Sequence, residues 1–133
     1  LSGADGLIFK NITFRTVSTT FANAVRIEGQ SHCNTFDGCV LEGLSTTSTS
    51  IVRAAVYSPG DRDTSNMFLN NQFINGSYGL AFSGASNSTR VENNQLIGNE
   101  FTDQYYRAVY FNYNKRPIVT GNTFSSNTNK HRL

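Results

Sequence analysis

Two nine-residue segments of this chain are nearly the same: FLNNQFING begins at Phe68 and VENNQLIGN at Val91, each setting an Asn pair between apolar residues. Internal repetition constrains a fold more than local propensity does. A short unit that cannot bury its own apolar face must bury it against its neighbours. Three further segments superimpose on these two without gaps: FKNITFRTV from Phe9, FDGCVLEGL from Phe36 and VTGNTFSSN from Val119. The starts at 9, 36, 68, 91 and 119 are 27, 32, 23 and 28 residues apart.

The first position of this frame is Phe9, Phe36, Phe68, Val91 and Val119, and the sixth is Phe14, Leu41, Phe73, Leu96 and Phe124. Both columns are apolar throughout and predict core. The third position is Asn11, Gly38, Asn70, Asn93 and Gly121, the two residue types that enter left-handed backbone most cheaply, so a bend is expected there. At the fourth position, after Ile12 and Cys39, come Asn71, Asn94 and Asn122, which predict an inward ladder of hydrogen-bonded amides.

A second block follows each of the first four copies: AVRIEG from Ala24, AAVYSP from Ala54, GLAFSG from Gly79 and AVYFNY from Ala108. Alternation puts Val25, Ala55, Leu80 and Val109, then Ile27, Tyr57, Phe82 and Phe111, on the buried face, and Arg26, Val56, Ala81 and Tyr110 on the other. The spacing between first and second blocks varies, which assigns the length variation to one loop per coil. Stacked at about 4.8 Å, such units pair in parallel and their like residues form internal ladders. The expected fold is therefore all-β: a right-handed parallel β-helix of about five coils, one unit over residues 1–133.

Composition fits many tight turns between short strands. Sixteen Asn stand among many Ser, Thr and Gly, while ten Phe and six Tyr at regular intervals argue against prion-like disorder. A length of 133 residues suits one domain. With a net charge of +2 and only 15% charged residues, nothing marks a nucleic-acid partner. No apolar run approaches the roughly 20 residues of a membrane span. The final NKHRL is read as a solvated basic tail. The chain opens inside a repeat, at LSGADGLIFKNITF, with no Met and no polar cap, so a segment of a longer chain is expected.

These repeats resemble those of right-handed parallel β-helix proteins of the pectin-lyase-like superfamily, over about residues 5 to 127. NNQFINGSYGLAFSG and YYRAVYFNYN are especially similar to β-helix regions of very large secreted or surface proteins of Bacteroidetes-type bacteria. The resemblance implies an extracellular or cell-surface location. It is specific for fold and weak for activity, because the fold hosts lyases, hydrolases, epimerases, tailspikes and adhesins. The polygalacturonase-like elements NTD, DD, GHG and RIK, the pectate-lyase-like Asp-His and Arg-x-Pro-x-x-Arg, and the epimerase-like DPHE are absent from the chain.

Two loose clusters remain. GDRDT brings Asp61, Arg62 and Asp63 onto one loop, where they bind a cation or sugar or, as expected here, form an internally paired turn. TDQYYR offers Asp103, Tyr105, Tyr106 and Arg107 and, with outward Tyr110 and nearby Tyr113, makes a set able to stack on and hydrogen-bond a sugar ring. The competing reading packs those tyrosines on the outside of the adjacent coil. His32 and Cys33 lack the further ligands and spacing of a metal site, so neither metal nor cofactor is expected. Cys39 falls in the inward column and Cys33 lies too far along an extended segment to bridge to it, so two free thiols are expected.

The expected function is that of a non-catalytic β-helix module of a large exported bacterial surface protein, structural or adhesive, with glycans, surface partners and the rest of the parent chain as its contacts. The alternative is a carbohydrate-active enzyme, a polysaccharide lyase, glycoside hydrolase or uronate epimerase, with its active residues on loops or on other coils. A third reading is a tailspike-like fibre, which trimerisation would reveal.

Overall fold

The computed structural model describes residues 1–127, so the NKHRL end lies outside the described residues. Sixteen short strands and a 3₁₀ turn at Ile51–Arg53 form its regular structure, with no α-helix among the described residues. Every strand pairing there is parallel. The first sheet stacks Ile8–Lys10, Thr35–Asp37, Met67–Leu69, Gln95–Ile97 and Ile118–Thr120 in that order. The second stacks Thr13–Arg15, Val40–Glu42, Gln72–Ile74, Glu100–Thr102 and Thr123–Ser125. The third stacks Val25–Arg26, Val56–Gly60, Tyr78–Gly84 and Arg107–Asn112, and a small ladder pairs Val91–Glu92 with Asn114–Lys115. The chain visits first, second and third sheets in turn and then begins the next rung, an all-β arrangement compatible with a parallel β-helix.

The register corrects the repeat frame at its fourth copy. Phe68 lies beside Leu96, not Val91, and Leu96 lies beside Val119. The aligned segment is therefore LIGNEFTDQ, and the rung starts become 9, 36, 68, 96 and 119. In the second sheet Phe101 replaces Leu96 in the predicted column, giving Phe14, Leu41, Phe73, Phe101 and Phe124. At the bend Gly98 replaces Asn93, so the left-handed column is Asn11, Gly38, Asn70, Gly98 and Gly121, with φ between 54° and 66°. A Cβ on Gly98 would lie 2.7 Å from Asn70 Oδ1. Glycine adopts this φ without Cβ strain and leaves room for the Asn70 amide.

VENNQLIGN is a different corner. Its Asn93 is also left-handed, at φ 55°, but it joins Cys33 at 56° and Ser65 at 57° where the chain enters the first sheet. The single predicted ladder of Asn71, Asn94 and Asn122 is accordingly two ladders. At the corner between first and second sheets, the amides of Cys39, Asn71 and Asn99 donate to Oδ1 of Asn71, Asn99 and Asn122 at 2.8–2.9 Å. The Nδ2 groups of Asn71, Asn99 and Asn122 return to the carbonyls of Phe36, Phe68 and Leu96, each at 2.9 Å. At the entry corner, Leu7, Asn34 and Asn66 donate to Oδ1 of Asn34, Asn66 and Asn94, while the Nδ2 groups reach Ala4, Ser31 and Asp63 carbonyls. A left-handed residue swings the backbone out of the parallel ladder. The following Asn supplies the lost acceptor from its side chain.

The third sheet brings a second correction. Val25 pairs with Val56 and Arg26 with Tyr57, so Val56 is inward and Tyr57 outward, the reverse of the expected faces. Ala55, not Ala54, is the counterpart of Ala24, and a slip of one residue exchanges the faces of a strand. The inward column is Val25, Val56, Leu80 and Val109, and the outward one is Arg26, Tyr57, Ala81 and Tyr110.

The core lies between the three sheets. Phe9, Phe36 and Phe68 stack with centroids 4.9 and 5.0 Å apart, and Phe73, Phe101 and Phe124 stack at 4.5 and 5.3 Å. These are the rung-to-rung distances imposed by strand pairing, so aromatic stacking adds to the ladder without strain. Cys39 is buried beside this core and Cys33 is exposed, both unpaired.

Asn99 is almost fully buried and bonded on both sides, whereas Asn122 is half-buried on the last described rung. Asn99→Leu leaves the Asn71 N–H and the Phe68 carbonyl, two buried backbone groups of the preceding rung, without that partner and is expected to cost about 1–3 kcal/mol for each. Asn122→Leu, nearer solvent, is expected to cost less. Urea midpoints that fall equally in the two variants would contradict the ladder account.

Candidate functional site

The third sheet turns its outward face to an aromatic cluster. Tyr57 and Tyr78 are nearly buried there, with Ala54 and Ala81, and Ile51, Tyr106 and Tyr110 pack against them. The Tyr78 ring meets Tyr106 edge-on at 5.4 Å and Tyr110 at 5.6 Å. Arg107 lays its guanidinium over both outer rings, 4.9 Å from the centroid of Tyr106 and 5.7 Å from that of Tyr110. One rung-column away, Arg26 covers Tyr57 at 5.7 Å. Burial raises the Tyr78 hydroxyl above its ordinary range despite the opposing charge of Arg107, so it stays a neutral phenol.

The segment before Val56 covers part of this face and is tied down. Ser77 donates its hydroxyl to the Ser50 carbonyl at 2.6 Å, and Asn23 donates its amide to the carbonyls of Val52 and Ala54 at 3.1 and 2.6 Å. Tyr106 and Tyr110 remain half-buried and Arg107 exposed, so the cluster presents two ring faces and a planar cation at its open side.

Of the six residues singled out from sequence, three come together: Tyr106, Arg107 and Tyr110. Tyr106 also packs on Tyr78 of the adjacent rung, as the competing reading expects of these tyrosines. Asp103 does not join them. It takes a left-handed conformation at φ 61° and uses its carboxylate to accept the backbone N–H and side-chain amide of Asn127 at 2.7 and 3.2 Å. Tyr105 is half-buried and anchored by its own amide to the Gly76 carbonyl at 2.9 Å, with no ring contact to the cluster. Tyr113 is exposed on the turn beyond the strand, at φ 50°, and packs near Gly84 instead.

Sequence reasoning missed Tyr57, through the one-residue slip in its block, and Tyr78. Strict alternation from inward Leu80 would send it inward, but the strand bends at Gly79, whose α-carbon faces the Phe101 ring so closely that a Cβ would lie 2.6 Å from it. Gly79 before an inward run was the available signal.

The GDRDT loop resolves into two separate roles for its acids. Asp61 accepts the Gly29 amide at 2.6 Å. Asp63 is fully buried and accepts the Ser31 amide at 2.8 Å and the Ser58 hydroxyl at 2.6 Å. Both carboxylates thus serve the neighbouring rung, and neither forms an ion pair with Arg62 among the described residues. No group of three or more His, Cys, Asp or Glu among the described residues is placed to hold a metal ion.

Comparison of the chain with protein-family models, curated proteins and solved structures finds no match.

Burial raises the Asp63 carboxyl above the usual carboxylate range, outweighing the hydrogen bonds from Ser58 and Ser31 that lower it. Above about pH 4 the unfolded chain has lost this proton while the folded one still retains part of it, so this group's contribution to stability falls as pH rises through that window. Asp63→Asn keeps an acceptor for Ser31 and removes the titration. The difference in unfolding free energy, wild type minus variant, is expected to decline from about pH 4 upward; a difference that grows with pH would overturn the assignment.

Proposed function

We propose that this chain is a right-handed parallel β-helix module of a large exported bacterial surface protein, and that it binds glycans without cleaving them. The order of the parallel sheets and the two Asn ladders support the fold reading, and the repeat resemblance supports an extracellular location. The observation that carries the binding role is Arg107, held over the rings of both Tyr106 and Tyr110 at the open side of the tyrosine cluster. Ring faces cover the C–H surface of a sugar, and a guanidinium already aligned by stacking loses little freedom when it bonds hydroxyls or a carboxylate. Tyr78 and the tied segment behind it keep the rings in place before any ligand arrives, which lowers the cost of binding.

Cleavage is not part of this reading. Glycosidic chemistry needs an acid and a base or nucleophile at a set separation, and the nearest sequence candidate, Asp103, is engaged with Asn127. A rigid stack of rungs with an aromatic face suits an adhesive or structural element.

A glycan array with wild type, Tyr110→Ala and Arg107→Ala tests this, run beside an assay for released reducing or unsaturated sugar. Each variant is expected to weaken binding about fivefold or more, the effect of removing one ring or cation contact of about 1 kcal/mol. Binding that both variants leave unchanged would exclude this face. Sugar release by the chain alone would return the enzyme reading.

A further inference from the structure

At the corner that leads into the first sheet, an open groove of about 450 Å³ runs across several rungs. None of its lining residues belongs to the tyrosine–arginine face. Its floor is one outward column, His32, Thr64, Glu92 and Lys115, each standing directly before a left-handed residue: Cys33, Ser65, Asn93 and Arg116. Backbone bonds link these places from rung to rung, Cys33 to Thr64, Ser65 to Glu92 and Asn93 to Lys115. Arg62 and Arg90 line the same groove, each two residues before the register partners Thr64 and Glu92.

The charge in this groove is unbalanced. Arg62, Arg90 and Lys115 face one carboxylate, Glu92, so three cations against one anion leave two positive charges. Desolvation pushes the Glu92 carboxyl up, but hydrogen bonds and charge from Lys115 and then Arg116 outweigh it and hold it below the usual range. Glu92 is thus ionised and occupied by Lys115 and Arg116, each at 3.3 Å. Just outside the groove Arg116 adds a positive charge, while Asp61, in a smaller recess beside Arg62, and Asp5, which accepts the His32 backbone amide at 2.7 Å, add two negative ones and reduce the excess to one positive charge. Among the described residues Arg62 and Arg90 form no ion pair; Arg90 has only the amide oxygen of Asn87, at 2.9 Å. Like charges at equivalent places on adjacent rungs repel, and an anion between them removes that repulsion.

We propose that this groove binds a dianionic phosphate group, such as the phosphate monoester of a sugar. A phosphate monoester carries close to two negative charges at neutral pH and offers three acceptor oxygens, which suits two guanidinium groups that form no ion pair among the described residues. The remaining lining suits a hydroxylated body: Thr64 and Ser88 bring hydroxyls, each 2.9 Å from a protein partner, His32 Nδ1 and Ser86 Oγ, and each able to share a further bond, and no Phe, Tyr or Trp lines the groove to hold an apolar group. His32 adds a donor. Its Nδ1 is engaged by the Thr64 amide at 3.3 Å and the Thr64 hydroxyl at 2.9 Å, so Nε2 is the ring nitrogen left to donate.

The test is calorimetric titration of the full chain, at low ionic strength, with inorganic phosphate, glucose 6-phosphate and glucuronate. Both phosphates are expected to bind, with glucuronate, a single negative charge, about tenfold weaker or more. Tighter binding of glucose 6-phosphate than of inorganic phosphate identifies a phosphosugar; equal binding identifies the bare dianion, and both uphold the site. Arg62→Ala and Arg90→Ala, exposed positions whose loss leaves the core intact, are each expected to weaken phosphate binding about tenfold. Glucuronate binding as well as the phosphates, failure of both phosphates to bind, or two variants that bind like wild type at unchanged thermal midpoints would overturn the proposal.

Discussion

A backbone that turns a corner through a left-handed residue breaks its own parallel ladder, and in this protein a buried side-chain amide mends it. Asn71 illustrates the device: its Oδ1 takes the Cys39 amide from one rung and its Nδ2 returns to the Phe36 carbonyl on the same rung. Without that side chain a donor and an acceptor would lie buried without partners at each corner, a cost comparable to the whole net gain from several strand bonds. The strands of the first and second sheets can therefore be only three residues long, because the corners between them are no less satisfied than the strands. The three sheets, their parallel order and the stacked phenylalanines all follow from corners that repeat at one spacing.

Rigid corners free the outer surface to vary. The segment before Val56 is long and folds back over Tyr57 and Tyr78, while the equivalent passage between Asn75 and Tyr78 is short. The same scaffold thus carries an aromatic face on the outside of one sheet and a cationic groove at a corner. The two draw on different physics. Ring contacts are short-ranged and survive salt, whereas uncompensated arginines act over about 10 Å and weaken as salt rises.

Much of the architecture was legible because inward positions repeat as Phe, Leu and Val and the bends repeat as Asn or Gly. The errors were errors of register. VENNQLIGN matches FLNNQFING so well because both corners need a left-handed residue followed by an amide, and that shared need gave two different corners one sequence. Similarity of residues reported similarity of task, not of position. The one-residue misplacement at Tyr57 had the same root: AAVYSP and its shifted form alternate equally well, and only pairing with Arg26 and Ala81 selects between them. Among the candidate residues, Tyr106, Arg107 and Tyr110 were close in sequence and stayed together. Tyr78 came from the previous rung and was hidden by the bend at Gly79, and Arg62 and Arg90 lie 28 residues apart, a distance that means proximity only once the rung length is known.

The sequence by itself determined the class of structure, all-β with parallel stacking, since apolar periodicity, left-handed residue types and amide pairs are local properties that each rung carries whole. It also determined that charge is sparse and that tyrosine and arginine gather near the end of the described chain. Tertiary structure alone decided which rung faces which, and with that everything that depends on neighbours across rungs: which Asn bonds which, whether Tyr57 or Val56 is buried, and which cations are left without a carboxylate. The physical reason is that strand pairing has a period of two while loop lengths vary freely, so a single residue gained or lost between corners changes every face that follows until the next corner restores it.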